Sequence, residues 1–236
     1  MSLKNQPSSR NRVSSQLSNS EITHRVQSIF TQSTVMFIYF CGSKAYGTND
    51  VESDSDITVI LDGFKGMIHL ELGDYDIFAF GSDTFLLKQV FDPSIPSYYR
   101  ASVDEIISID HNLIYLNEAY RDEFEAYKNV NMVRNLGAFL DSFIEYHHYR
   151  LADGIPKKTH YHILRMRGTL EHLDLTGRFE HFQEEPWKTQ MMNYKKNWNT
   201  YLGNEYIPTL KEALAYIENY KEKVMNDELG KHPQSI

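Results

Sequence analysis

Gly42-Ser43-Lys44-Ala45-Tyr46-Gly47 is followed six residues later by Ser53-Asp54-Ser55-Asp56-Ile57. The first stretch is a small-residue turn able to hold a phosphate. The second opens an apolar run, Ile57-Thr58-Val59-Ile60-Leu61, that reads as a buried strand. Residues two apart on a strand point the same way, so Asp54 and Asp56 face one side together. Two carboxylates this close repel each other unless a cation sits between them. Mg²⁺ suits the position, because it takes hard oxygen ligands and completes its shell with substrate phosphates.

The flanking elements must bring the turn and the carboxylates together. Val35-Met36-Phe37-Ile38-Tyr39-Phe40-Cys41 reads as a strand running into the turn. Gly42 lets backbone approach a ligand closely. Ser43 is expected to cap a short helix over Lys44 to Tyr46, whose first N–H groups would attract an anion. A triphosphate resting there, with two metal ions on Asp54 and Asp56, would present its α-phosphorus for in-line attack. Ions about 3.5–4 Å apart would stabilise the entering and leaving oxygens. The scheme calls for a third carboxylate. Asp74 and Asp76 both lie in the next strand or hairpin, within Met67–Phe80. Asp76, between Tyr75 and Ile77, fits a strand better than Asp74, which follows Gly73.

The run G-S-K-A-Y-G-T-N-D-V-E-S-D-S-D resembles the signature of DNA polymerase β-type nucleotidyltransferases. It is most similar to the bacterial and phage branch with G-S-x-A-Y-G-T followed by S-D-x-D. The resemblance implies that Gly42 and Ser43 bind the triphosphate and that Asp54 and Asp56 bind Mg²⁺, with Mn²⁺ as a possible substitute. It also implies Asp76 as the third carboxylate, and it extends more weakly to Lys157-Lys158 and the helix after them. The implied activity is transfer of NMP, with ATP favoured as donor, to a hydroxyl acceptor on an RNA 3′ end or a protein side chain. The resemblance leaves the acceptor open. The competing reading from another class is a non-catalytic, antitoxin-like partner that keeps the fold for binding.

The chain has 236 residues, with ample apolar material for one large domain or two small ones. Its single cysteine, Cys41, excludes an internal disulfide and suits a reducing compartment. No apolar run reaches the roughly 18 residues of a membrane span, and no signal-peptide core opens the chain. A cytoplasmic location is expected, in the host cytoplasm if the chain is phage-encoded. Residues 41–129 carry 6 basic and 17 acidic side chains, whereas residues 130–236 carry 14 of each. So acidic a catalytic half excludes broad duplex DNA binding, which relies on many Lys and Arg contacts.

The period of the apolar residues changes along the chain. Residues 1–19 are polar and too poor in apolar groups to offset ordering entropy. Ser20 is expected to cap a helix over 21–31. Strands are expected at 35–41, 56–62, 67–72 and 75–80, a helix at 82–91, and an edge strand at 106–109. From Leu136 the apolar residues recur at steps of three and four. Helices are expected from Pro156 to 176, from Pro186 to 198 and from Pro208 to 229. The expected fold class is α+β: a catalytic domain over 20–129 built on a mixed sheet, then an all-helical bundle over 130–236.

Lys158, His162, Arg165, Thr169 and His172 recur at helical spacing on one side of the second bundle helix. Lys158 and Arg165 are expected to reach nucleotide phosphates across a cleft, and Lys44 from within the turn. A solvated helix face is the plainer alternative for the stripe. Arg167 and His172 fit R-x₄-H, a short pattern resembling HEPN ribonucleases. His147-His148 and His160-x-His162 do not share a helical face, so surface or boundary histidines are expected rather than a Zn²⁺ site. Tyr98, Tyr99, Tyr115 and Tyr120 could stack a base, although packing explains them more simply.

Overall fold

The computed structural model describes residues 17–49, 55–89, 111–129, 132–176 and 186–226. Asp54, the expected strand at 106–109, Tyr98, Tyr99 and the polar stretch 1–16 lie outside the described residues. The chain opens with helix α1 (Asn19–Ile29). Ser18 caps it, not Ser20. The Ser18 N–H donates to Glu21 Oε2 at 2.8 Å, and the Glu21 N–H donates to Ser18 Oγ at 3.3 Å. This reciprocal box needs an acid three residues after the cap, which Ser18 has and Ser20 lacks.

Among the described residues, five strands form one mixed sheet in the order β3-β4-β2-β1-β5. They are β1 (Thr34–Phe40), β2 (Ser55–Asp62), β3 (Met67–Leu72), β4 (Tyr75–Gly81) and β5 (Leu113–Leu116). β2 and β4 are parallel, and every other pairing is antiparallel. Gly73 and Asp74 make the two-residue loop of the β3–β4 hairpin, since Leu72 pairs with Tyr75. Gly73 has φ +65°, which a tight hairpin turn requires and glycine supplies without strain.

Alternation sends β2 and β4 side chains to two different surroundings. Ile57, Val59, Leu61, Ile77 and Ala79 pack with Ile22 and Val26 of α1. The opposite face holds Ile60, Phe80, Phe37 and Tyr39 under Phe85 and Phe124. Phe85 belongs to α3 (Ser82–Gln89) and Phe124 to α4 (Arg121–Asn129), and both rings meet Phe37 edge-on at 5.7 and 5.2 Å. On that second face the strands are apolar toward their ends and carry Asp56 and Asp76 near their beginnings.

The second half is helical and has its own core. Helices α5 (Met132–Leu151), α6 (Tyr161–Thr176), α7 (Trp187–Asn197), α8 (Tyr201–Glu205) and α9 (Ile207–Met225) follow in order. Leu140, Ile163, Leu170, Met191, Leu210 and Ile217 are fully buried among them. The fold is therefore α+β, with a mixed sheet followed by a helical region. α6 begins at Tyr161 and not near Pro156. Lys157 is extended, and its N–H and C=O are both bound by the Tyr194 hydroxyl, at 3.2 and 2.9 Å. Backbone committed to that hydroxyl cannot join the helical ladder, and a 3₁₀ turn, Lys158–His160, intervenes. Among the described residues no helix is long and apolar enough to cross a membrane.

Candidate active site

β1 delivers the chain into α2 (Gly42–Ala45), a single helical turn. Cys41 takes the cap position without a side-chain capping hydrogen bond, so Ser43 lies inside the turn rather than capping it. The turn closes on itself. Tyr46 N–H donates to Gly42 O at 3.2 Å, Gly47 N–H to Lys44 O at 3.2 Å, and Thr48 N–H to Ser43 O at 2.9 Å. Lys44 is half-buried, with Nζ 3.4 Å from the centre of the Phe40 ring, and its burial lowers its pKa.

The turn sits directly against Asp56. Cys41 N–H donates to Asp56 O at 2.9 Å. Gly42 has φ +61°, and a methyl group there would collide with Asp56 Oδ2. The glycine is thus required twice, by backbone conformation and by the carboxylate beside it.

Asp56 pairs with Asp76 in the parallel β2–β4 ladder, and Asp76 pairs with Glu71 in the β3–β4 hairpin. Registered neighbours share a face, so three carboxylates form a row across three strands. His69 lies two residues before Glu71 on the same face. Its Nε2 is 3.3 Å from Asp76 Oδ1, and its ring stacks on Phe78 at 4.6 Å and 6°. Asp74 instead lies in the hairpin loop, where its carbonyl accepts from Ser55 N–H at 3.2 Å. Hard carboxylate oxygens from Asp56, beside a turn with no side chain at Gly42, and from Asp76 on the adjacent strand would suit a Mg²⁺-type ion. Among the described residues, no three His, Cys, Asp or Glu side chains converge to hold a metal ion.

Glu71 and His69 escaped the sequence reading, though the signal was there. A two-residue Gly73-Asp74 loop fixes Leu72 opposite Tyr75, and hence Glu71 opposite Asp76.

The cationic stripe of α6 does not line an open face. Arg165 is 2% exposed and Thr169 fully buried. The Arg165 guanidinium stacks over the Tyr46 ring at 3.9 Å, and its Nε donates to His162 Nδ1 at 3.2 Å. Burial lowers its pKa, against an attraction and a hydrogen bond to Tyr46. The His162 ring meets Tyr46 edge-on at 5.9 Å, and burial pushes its pKa down to about 4, with the Lys195 charge adding to the shift. Lys158 is exposed in the 3₁₀ turn. Lys195 of α7, unremarked in the sequence, donates from Nζ to Thr48 O at 2.7 Å.

His147 and His160 are not surface histidines. They are 3% and 0% exposed, with ring centres 6.3 Å apart. Burial drives the His147 pKa well below its ordinary value and the His160 pKa to about 4. Helical spacing reports which residues share a face but not whether that face meets solvent. Arg167 of the R-x₄-H pattern pairs with Glu171 at 3.0 Å and Glu212 at 3.2 Å, and lies over the Trp187 ring at 4.7 Å.

No protein-family model matches this chain, and no curated protein matches it. Among solved structures the chain is similar to a nucleotidyltransferase-like protein from Exiguobacterium sibiricum 255-15. The two are 12% identical over 89% of this chain and 77% of that one, with a TM-score of 0.36.

Proposed function

We propose that the chain is a Mg²⁺-dependent nucleotidyltransferase that moves NMP, with ATP the favoured donor, onto a hydroxyl acceptor. One observation carries the reading. Asp56 and Asp76 stand side by side on neighbouring parallel strands, with the Gly42-Ser43 turn packed against Asp56.

In the reaction the acceptor oxygen bonds to the α-phosphorus of the NTP. The bond from that phosphorus to the α–β bridging oxygen breaks, and pyrophosphate leaves. When bound, Mg²⁺ supplies charge neutralisation of the phosphates and lowers the pKa of the attacking hydroxyl. The chain's residues do the rest. Ser43 and the backbone of its turn hold the triphosphate, with Lys44 adding positive charge beside it. Asp54 and Asp56 hold the divalent ions, and Asp76 helps hold them and accepts the acceptor's proton. The acceptor is an RNA 3′ end or a protein side-chain hydroxyl. The acidic half would repel a polyanion, which favours a short RNA end or a protein over an extended nucleic acid surface.

The test incubates the full chain with Mg²⁺, each labelled NTP, and separate RNA and protein fractions. Label is expected in one fraction and lost with Asp56→Asn or Asp76→Asn. Undiminished labelling by both variants overturns the reading. So does a wild-type chain that binds no NTP but forms a stable complex with another protein.

A further inference from the structure

Two cations from the helical half of the chain end on the turn that precedes the carboxylates. The turn's own hydrogen bonds tie its end to its beginning. Thr48 N–H donates to Ser43 O at 2.9 Å, and Thr48 Oγ1 also approaches that oxygen at 3.4 Å. Tyr46 N–H donates to Gly42 O at 3.2 Å. Whatever fixes Thr48 therefore fixes Ser43, and whatever fixes Tyr46 fixes Gly42.

Both handles are gripped from the helical side. Lys195, 147 residues away in sequence, donates to Thr48 O at 2.7 Å. That carbonyl belongs to a residue only 1% exposed, so an ammonium group replaces water there. Arg165 stacks at 3.9 Å on Tyr46, which is 3% exposed, and the Arg165 Nε donates to His162. A buried guanidinium is tolerated only when partners satisfy it. Two of the contacts it makes are to a turn residue and to the neighbour that also packs on that residue. The stack is a desolvated cation–π contact with Arg's planar geometry, which Lys cannot reproduce.

We infer that Arg165 and Lys195 are positioning residues that hold the Gly42–Thr48 turn in the shape a nucleotide triphosphate needs. The helical half is then a working part of the site, not an appended domain. Arg165 acts through Tyr46 and touches no phosphate, which replaces the direct contact expected from helical spacing. The triphosphate as ligand rests on the proposed nucleotidyltransferase reading. The bracing of the turn does not.

The test uses the full chain with Lys195→Gln, Lys195→Arg and Arg165→Lys. Amide hydrogen exchange is followed at Tyr46, Gly47 and Thr48, with Val59 and Ile60 of β2 as the internal reference. Calorimetry with inorganic tripolyphosphate and with Mg-ATP gives binding. In Lys195→Gln the turn amides should exchange about tenfold faster, with β2 unchanged, because a charge-assisted hydrogen bond has been removed. Binding of both probes should weaken by about the same factor, and Lys195→Arg should restore both readouts. Arg165→Lys should loosen Tyr46 most. If that variant fails to fold, the Lys195 pair carries the decision. Unchanged turn exchange in Lys195→Gln overturns the inference, as does faster exchange spread equally over β2, which marks general loosening. A wild-type chain that binds neither probe refutes the nucleotide reading, while the exchange contrast still decides the bracing.

Discussion

Asp56 and Asp76 are direct partners in the parallel β2–β4 ladder, so their carboxylates leave the same face of the sheet from adjacent strands. Two like charges at that spacing repel and weaken the fold slightly when no cation is bound. Neutralising either should separate folding from activity. Asp56→Asn and Asp76→Asn should melt at or above the wild-type temperature, yet lose nucleotide transfer by about a hundredfold or more. Calorimetric melting and a transfer assay on the same preparations check this. A loss of activity that tracks a loss of stability would refute it.

Gly42 offers a sharper test, because one methyl group has two consequences. Gly42→Ala places a side chain in the left-handed region and drives it into Asp56 Oδ2. The strain should reduce stability by about 1–3 kcal/mol. Removing the obstacle with Gly42→Ala/Asp56→Ala should recover part of that loss, leaving the backbone component. Urea unfolding of the two single variants and the double variant forms a cycle. Strict additivity would mean that glycine and carboxylate do not meet.

The strands around this site were readable because their physics is local. Residues 57–61 are a continuous apolar run, and a Gly-Asp loop between two short strands specifies a hairpin. β5 was missed because its four residues are all only half-buried and show no alternation. That Asp76 joins Asp56 follows from the resemblance, but their direct register in the ladder is not legible in the sequence. It is set by how β4 docks on β2 after an intervening hairpin, which no local pattern encodes. The burial of Arg165 is not legible for a related reason: a cation at helical spacing carries no hydropathy signal of burial, and its partner Tyr46 lies 119 residues earlier.

His69 leans on one of the carboxylates that the proposed ion would use. It contacts Asp76 Oδ1 at 3.3 Å and is held flat against Phe78. Groups that hydrogen-bond a ligating carboxylate fix its orientation, and losing one typically costs 10–100-fold in metal affinity or activity. His69→Ala should therefore weaken Mn²⁺ binding, read by spectroscopic titration without substrate, by about tenfold. Its side chain is 45% exposed, so stability should change little. Unaltered Mn²⁺ affinity would leave His69 an ordinary edge-strand residue.

The buried histidines give the chain an acid limit that its carboxylates alone would not. His160 and His162 are held to pKa values of about 4, chiefly by burial, against an ordinary 6.5. In the unfolded chain both regain the ordinary value and bind protons first. The unfolded state therefore binds more protons between about pH 6.5 and 4, and stability falls as pH falls through that window. Above about 6.5 their contribution is fully present. Each such histidine steepens the loss by up to about 1.4 kcal/mol per pH unit. His160→Leu removes one titrating group from a fully buried position whose ring nitrogens both lack a hydrogen-bond partner. Its stability should decline less steeply between pH 6.5 and 4, whatever its stability at neutral pH. Denaturant unfolding at half-unit pH steps measures the two slopes. Equal slopes would mean that His160 is already protonated, or solvated, in the folded chain.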